Sequence, residues 1–137
     1  METTLVVTAP SEIDVLYIED DEAFRASSCE RLREEGFRVA EARNGAVALA
    51  YLNEGHRPSL VILDLLMPGM DGFEFMARLR NDPELTGIPV VVVSGVVQSG
   101  MLASPYGVVP HLSKPFEIDS LLSYVRRFSK KDPEQPH

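Results

Sequence analysis

The chain has 137 residues, of which 45% are hydrophobic and 25% are charged, and its formal net charge is −8. That length suits one ordinary domain and excludes two domains of normal size. The acidity argues against binding to nucleic acid phosphates or to an anionic membrane surface, and a single cysteine, Cys29, excludes an internal disulfide framework.

Strand and helix signals alternate through most of the chain. Short apolar runs predict strands, and runs of helix formers between them predict helices. The predicted elements are, in chain order, a strand at 13–18, a helix at 21–35, a strand at 37–41, a helix at 46–53, a strand at 60–65, a helix from Gly72 to before Pro83, strands at 88–93 and 111–113, and a helix at 118–130. Continuous apolar strands are typical of a parallel sheet covered on both faces, so the predicted class is α/β.

Polar residues stand at or directly after the ends of four of the predicted strands. Glu19 and Asp20 follow the first strand, Asp64 stands at the end of the third, Ser94 follows the fourth and Lys114 follows the fifth. Because function in such sheets lies at the carboxyl ends of the strands, we expect these side chains to converge on one edge.

This set of residue types predicts phosphoryl chemistry. Carboxylates held close together repel one another and favour a divalent cation, and an all-oxygen ligand set without nearby His or Cys favours Mg²⁺. Asp64, on a buried strand, is suited to act as a nucleophile that attacks phosphorus and forms an aspartyl phosphate. Lys114 and the metal ion would neutralise the phosphoryl oxygens.

Four segments together resemble the receiver domain of bacterial two-component response regulators. They are Glu19-Asp20-Asp21, the run from Asp64 to Gly72 that reads Asp-Leu-Leu-Met-Pro-Gly-Met-Asp-Gly, Ser94-Gly95, and Lys114-Pro115-Phe116. The resemblance implies a doubly wound, five-stranded parallel sheet of flavodoxin-like order 2-1-3-4-5, with helices on both faces. It also implies a receiver domain over 12–131, between a flexible leader at 1–11 and a flexible tail at 132–137.

The resemblance assigns roles around the phosphorylated residue. Asp64 matches the phosphoacceptor and contributes to the metal site. Asp20 matches the direct Mg²⁺ ligand, with Glu19 as its acidic neighbour, and the backbone carbonyl of Leu66 matches a further metal contact. Lys114 matches the lysine that pairs with the phosphoryl oxygens.

Two positions and one segment bear on the switch that the resemblance implies. Ser94 matches the hydroxyl residue that follows the phosphoryl group, and His111 stands where the family usually has an aromatic switch residue. The family's fourth helix should lie between Gly95 and Pro110, but the glycines and prolines there leave only 97–104 for a short or irregular helix.

We therefore expect a cytoplasmic, single-domain response regulator that is not a turnover enzyme. Its phosphate donor would be a sensor histidine kinase or a histidine phosphotransfer protein, and it would signal to an unidentified downstream protein, with no nucleic acid and no membrane insertion. Three alternatives stay open. One is a binding module that works without phosphorylation through the altered 95–113 face. The second is a receiver fragment of a longer regulator or hybrid kinase. The third is a hydrolase with an aspartyl-phosphate intermediate, which the apolar Leu66 disfavours.

Overall fold

The computed structural model describes residues 13–65, 72–95, 100–104 and 107–129, and for 100–104 and 107–109 the description covers the backbone alone. The expected leader at 1–11, the expected tail at 132–137 and the carbonyl of Leu66 lie outside these ranges. Among the helices that the structure describes, none is long and apolar enough to cross a membrane. The elements are β1 Val15–Ile18, α1 Glu22–Glu34, β2 Val39–Ala42, α2 Gly45–Asn53, β3 Leu60–Asp64, α3 Gly72–Arg80, β4 Val90–Ser94, β5 Gly100–Ser104, β6 Gly107–Ser113 and α4 Ile118–Ser129.

One sheet organises the described part of the chain, in the order β2-β1-β3-β4-β6-β5. The first five strands in this order are parallel to one another, and β5 is antiparallel to β6 at the end. The five parallel strands, numbered along the chain without β5, follow the order 2-1-3-4-5. The predicted fold class and strand order are confirmed.

Two apolar layers cover the sheet, one on each face. The first packs α2 and α3 against one face, and the second packs α1 and α4 against the other. Side chains therefore alternate between the layers along each central strand, with Leu63 and Val92 in the first layer and Ile62 and Val93 in the second. Burial on both faces accounts for the continuous apolar runs of these strands.

Capping residues fix where the helices begin and end. Asp21 begins α1, and its Oδ1 accepts a hydrogen bond from the backbone amide of Phe24 at 3.0 Å. Asn44 begins α2 in the same way, accepting from the amide of Val47 at 2.8 Å. Gly36 follows α1 with a φ of 96°, a left-handed conformation that glycine adopts without the cost that a Cβ atom brings.

The prediction of a short or irregular fourth helix at 97–104 is wrong for residues 100–104, the part of this segment that the structure describes. Gly100–Ser104 is strand β5, and β6 begins at Gly107, four residues before the predicted strand at 111–113. The segment has no charged residue to give a helix a polar face, and its glycines and prolines disfavour a helix. Because Ser104 pairs with Gly107, only two residues connect β5 to β6, which is a common hairpin length.

Candidate functional site

Three carboxylates meet at the carboxyl edge of the sheet. Glu19 and Asp20 directly follow β1, and Asp64 ends the neighbouring strand β3. Each residue offers one oxygen, and these oxygens lie within 4.8 Å of one another. Glu19 is only 1% exposed and Asp64 only 5%, whereas Asp20 is exposed. Two of the three charges are therefore held largely out of water.

Lys114 brings an ammonium group into this acidic cluster. Its Nζ lies 2.6 Å from Glu19 Oε1 and 3.5 Å from Asp64 Oδ2. The backbone holds the residue in place, because the amide of Lys114 donates to the carbonyl of Ser94 at 2.9 Å. The peptide bond from Lys114 to Pro115 is cis.

Burial and neighbouring charges act in opposite directions on the pKa values of Glu19 and Lys114. Loss of water raises the pKa of Glu19 to about 7, although the ammonium of Lys114 and the amide of Asp21 both favour the ionised carboxylate. Burial would lower the pKa of Lys114, but the adjacent Glu19 and Asp64 outweigh it and raise that pKa. The lysine stays charged, and one ammonium faces three carboxylates.

Ser94 lies on β4, which pairs with the strand of Asp64, and His111 lies on β6, one strand further along the sheet. Asp64 is the strand partner of Val93, so Ser94 stands one residue further along β4, where it is fully buried. His111 pairs with Val92, is 1% exposed, and points into the sheet layers rather than out to solvent. Neither of its ring nitrogens has a hydrogen-bond partner within the described part of the chain.

The structure adds α1 residues that sequence reasoning missed. The guanidinium of Arg25 donates to the backbone carbonyl of Glu19 at 2.6 Å and to Glu41 Oε1 at 2.9 Å. The ring of Phe24 lies below Lys114, with Nζ 4.6 Å from the ring centroid. The sequence offered one signal for Phe24 and Arg25, which is that both lie in the first turn of the helix that follows the acidic run. Their contacts depend on side-chain directions that spacing does not predict.

Gly72 allows the start of α3 to pack closely against the end of β3, where Asp64 lies. Its amide donates to the carbonyl of Leu65 at 2.8 Å, so α3 begins directly against the end of β3. A Cβ atom at this position would lie 2.6 Å from the Cα of Leu65 and 2.7 Å from the carbonyl oxygen of Asp64. The sequence marked Gly72 as a helix start and as part of the motif, whereas the structure shows a steric requirement for glycine.

Both the sheet order and the acidic edge are those of CheY-like receiver domains. The sequence profile of the response regulator receiver domain family matches residues 15–126, and the chain belongs to that family. The sequence resemblance is confirmed at the level of the family.

Relatives and solved structures agree with this membership. Sporulation initiation phosphotransferase F of Bacillus subtilis is 30% identical over 114 residues, which cover 83% of this chain and 91% of the relative. The transcriptional regulatory protein TcrA of Mycobacterium tuberculosis is 32% identical over 123 residues, which cover 90% of this chain and 48% of the relative. The chain thus spans about half the length of TcrA. A CheY-like receiver domain protein from Methanospirillum hungatei superposes with a TM-score of 0.72 at 28% identity, covering 90% of this chain and 99% of that one.

Proposed function

We propose that Asp64 accepts a phosphoryl group from a phosphohistidine on a sensor histidine kinase or a histidine phosphotransfer protein. One observation carries the proposal. Asp64 is buried at a strand end, its Oδ2 lies 3.5 Å from the Lys114 ammonium, and two further carboxylates stand beside it. A rigid nucleophile next to a cation and a cation-binding cluster is the arrangement that phosphoryl transfer requires.

The transfer makes one bond and breaks another. A carboxylate oxygen of Asp64 bonds to phosphorus while the bond from phosphorus to the donor imidazole nitrogen breaks, which leaves an aspartyl phosphate. The donor histidine recovers a proton from solvent. Lys114 neutralises phosphoryl oxygens as the charge shifts onto the receiver, and its raised pKa keeps it protonated during the step.

The residues of the pocket fit Mg²⁺. The donor set is all oxygen, and burial disfavours the ionised form of Glu19 unless a cation compensates it. Glu19, Asp20 and Asp64 would hold the ion, together with the carbonyl of Leu66, which lies outside the described residues. When bound, Mg²⁺ would neutralise phosphoryl oxygens and reduce the repulsion between Asp64 and the incoming group.

Phosphorylation then biases a two-state equilibrium. Ser94 would turn its hydroxyl towards the new phosphoryl group, and the inward-packed His111 would respond on the adjoining strand. The changed surface would alter contacts with a downstream protein. The net charge of −8 supports protein partners rather than nucleic acid, and the proposed setting is the cytoplasm without membrane insertion.

In this role the protein is a phosphoacceptor and not a turnover enzyme. Its own residues assist the phosphorylation and the dephosphorylation of Asp64, and it does not convert a separate substrate through repeated catalytic cycles. Hydrolysis of small phosphoesters over multiple turnovers would contradict this part of the proposal and would favour the alternative of a hydrolase with an aspartyl-phosphate intermediate.

Incubation with acetyl phosphate and Mg²⁺ tests the function. Intact-mass spectrometry should show the addition of one phosphoryl group to the wild type and none to Asp64→Asn. Asp119→Asn is a matched control, because Asp119 lies on α4 with its side chain 84% exposed. Chelation of Mg²⁺ should stop the modification. A wild type that stays unmodified, and that also binds no beryllofluoride, would favour a module that binds partners without phosphorylation.

A further inference from the structure

Strand β5 forms an end of the sheet that the described residues leave open. It is the last strand in the sheet order, and β6 is its hydrogen-bonded neighbour. Within the described ranges, no element lies beyond it in the sheet. None of its five residues, Gly100–Ser104, is proline, so each carries a backbone N–H. The donors and acceptors that do not face β6 can pair with another strand.

The residue types of this edge do not protect it against pairing. Edge strands are commonly blocked by charged side chains, especially lysine, or by proline. β5 contains neither, and the stretch from Leu85 to Ser113 has no Asp, Glu, Lys or Arg. In a chain of net charge −8, pairing through β5 therefore brings no charged residue of the strand itself against a second copy.

We propose that β5 pairs with β5 of a second copy of this chain. The two strands would run antiparallel about a two-fold axis and join the two sheets into one continuous sheet. An antiparallel strand is its own complement under such an axis, so a single edge serves both copies and the assembly closes as a dimer. A contact built on five residues a side is small, so the dimer should be weak and should exchange with monomer. The pairing involves no residue of the Asp64 pocket and does not depend on the proposed phosphorylation.

Sedimentation velocity over a concentration series tests the association. The wild type should shift reversibly from monomer to dimer below about 1 mM. Leu102→Lys places like charges opposite each other at the centre of the paired strands and should weaken the dimer by about tenfold or more. Thr86→Lys adds the same charge at an exposed residue outside β5 and should leave the dimer unchanged. A wild type that is monomeric throughout, or equal weakening by both substitutions, would overturn the proposal.

Hydrogen exchange of the unmodified protein tests the interface directly, even if Leu102→Lys fails to fold. Amides of residues 100–104 should exchange more slowly as the protein concentration rises, while amides of α2 should not respond. Strong protection of 100–104 that is the same at every concentration would mean that another part of the chain covers β5. A dimer whose protection lies elsewhere would place the interface on another surface. Each of these two results contradicts pairing through β5.

Discussion

Lys114 donates to Glu19 at 2.6 Å, while its distance to Asp64 is 3.5 Å. The lysine therefore pairs most closely with a carboxylate of the expected metal site and more loosely with the expected phosphoacceptor. This arrangement partly compensates the buried Glu19 and keeps the ammonium within reach of a group on Asp64. Among the described side chains that meet there, one ammonium faces three carboxylates, which leaves an excess of negative charge when all three are ionised.

We expect Glu19→Gln to stabilise the metal-free protein. The substitution keeps the size of the side chain and removes one buried charge from the cluster, while Lys114 retains Asp64 as a partner. At pH 8 in the presence of a chelator, urea denaturation should give a free energy of unfolding about 1–2 kcal/mol above that of the wild type. Mg²⁺ should stabilise the wild type and have much less effect on the variant.

The control for this charge effect is Glu84→Gln, whose side chain is 80% exposed. It should change the stability little and leave the response to Mg²⁺ intact. A Glu19→Gln variant that is less stable than the wild type without metal would show that the pairing with Lys114 outweighs the repulsion.

Phe24 should position the ammonium of Lys114. The centroid of the Phe24 ring lies 4.6 Å from Nζ of Lys114. The ring of Phe116 packs edge-on against that of Phe24, with 5.7 Å between the two ring centroids. Phe24→Leu keeps an apolar side chain but removes the aromatic face, so phosphorylation by acetyl phosphate should slow by about two- to fivefold. Phe24→Tyr retains the face and should restore the rate. Equal rates for the Leu and Tyr variants would exclude a cation–π contribution.

The central strands and the site were predictable because burial leaves a strong sequence signal. Strands β1, β3 and β4 are fully buried, so their apolar runs could be located from residue types alone, and their carboxyl ends to within one residue. Glu19, Asp20 and Asp64 followed, since strand ends in a parallel sheet share one edge.

Other features depend on contacts that sequence spacing does not encode. The β5–β6 hairpin is stabilised by pairing, such as that of Ser104 with Gly107, in a segment without the charge pattern that distinguishes a helix from a strand. The contacts of Phe24 and Arg25 depend on rotamers in the first turn of α1. The inward position of His111 follows from its register with Val92, which is known only once the strands are paired.

Gly72→Ala should disturb the end of β3. The new methyl group would lie 2.6 Å from the Cα of Leu65 and 2.7 Å from the carbonyl oxygen of Asp64, and both are backbone atoms that cannot move aside cheaply. We expect a loss of about 1–3 kcal/mol in the free energy of unfolding, together with slower phosphorylation of Asp64.

Gly87→Ala is the matched control for this substitution. A Cβ at Gly87 meets nothing within 4 Å, and its φ does not fall in the left-handed region. Its stability should stay near that of the wild type or rise slightly, because alanine restricts the unfolded chain. If thermal denaturation shows equal losses for both variants, the cause is not the contact with β3.

Glu41 should stabilise the protein in a pH-dependent way. Its carboxylate accepts from Arg25 at 2.9 Å and from Arg33 at 3.1 Å, which ties β2 to α1. Burial would raise the pKa of Glu41, but the two guanidinium groups outweigh it and lower that pKa. A lowered pKa means that the folded state binds the proton less readily than the unfolded state does. The stabilisation is therefore complete above about pH 4.3, the ordinary value, and is lost as the pH falls through the lowered pKa.

Denaturation of Glu41→Gln across a pH series measures this contribution. At pH 7 the variant should be about 1 kcal/mol less stable than the wild type, since the carboxylate is partly buried between two arginines. The difference should shrink once the pH falls below the ordinary carboxyl pKa, because the wild-type side chain then becomes neutral as well. Glu74→Gln removes a pair with Arg78 whose side chains are 49% and 58% exposed, so it should cost less at every pH. A gap for Glu41→Gln that stays constant down to acid pH would assign the loss to altered packing rather than to charge.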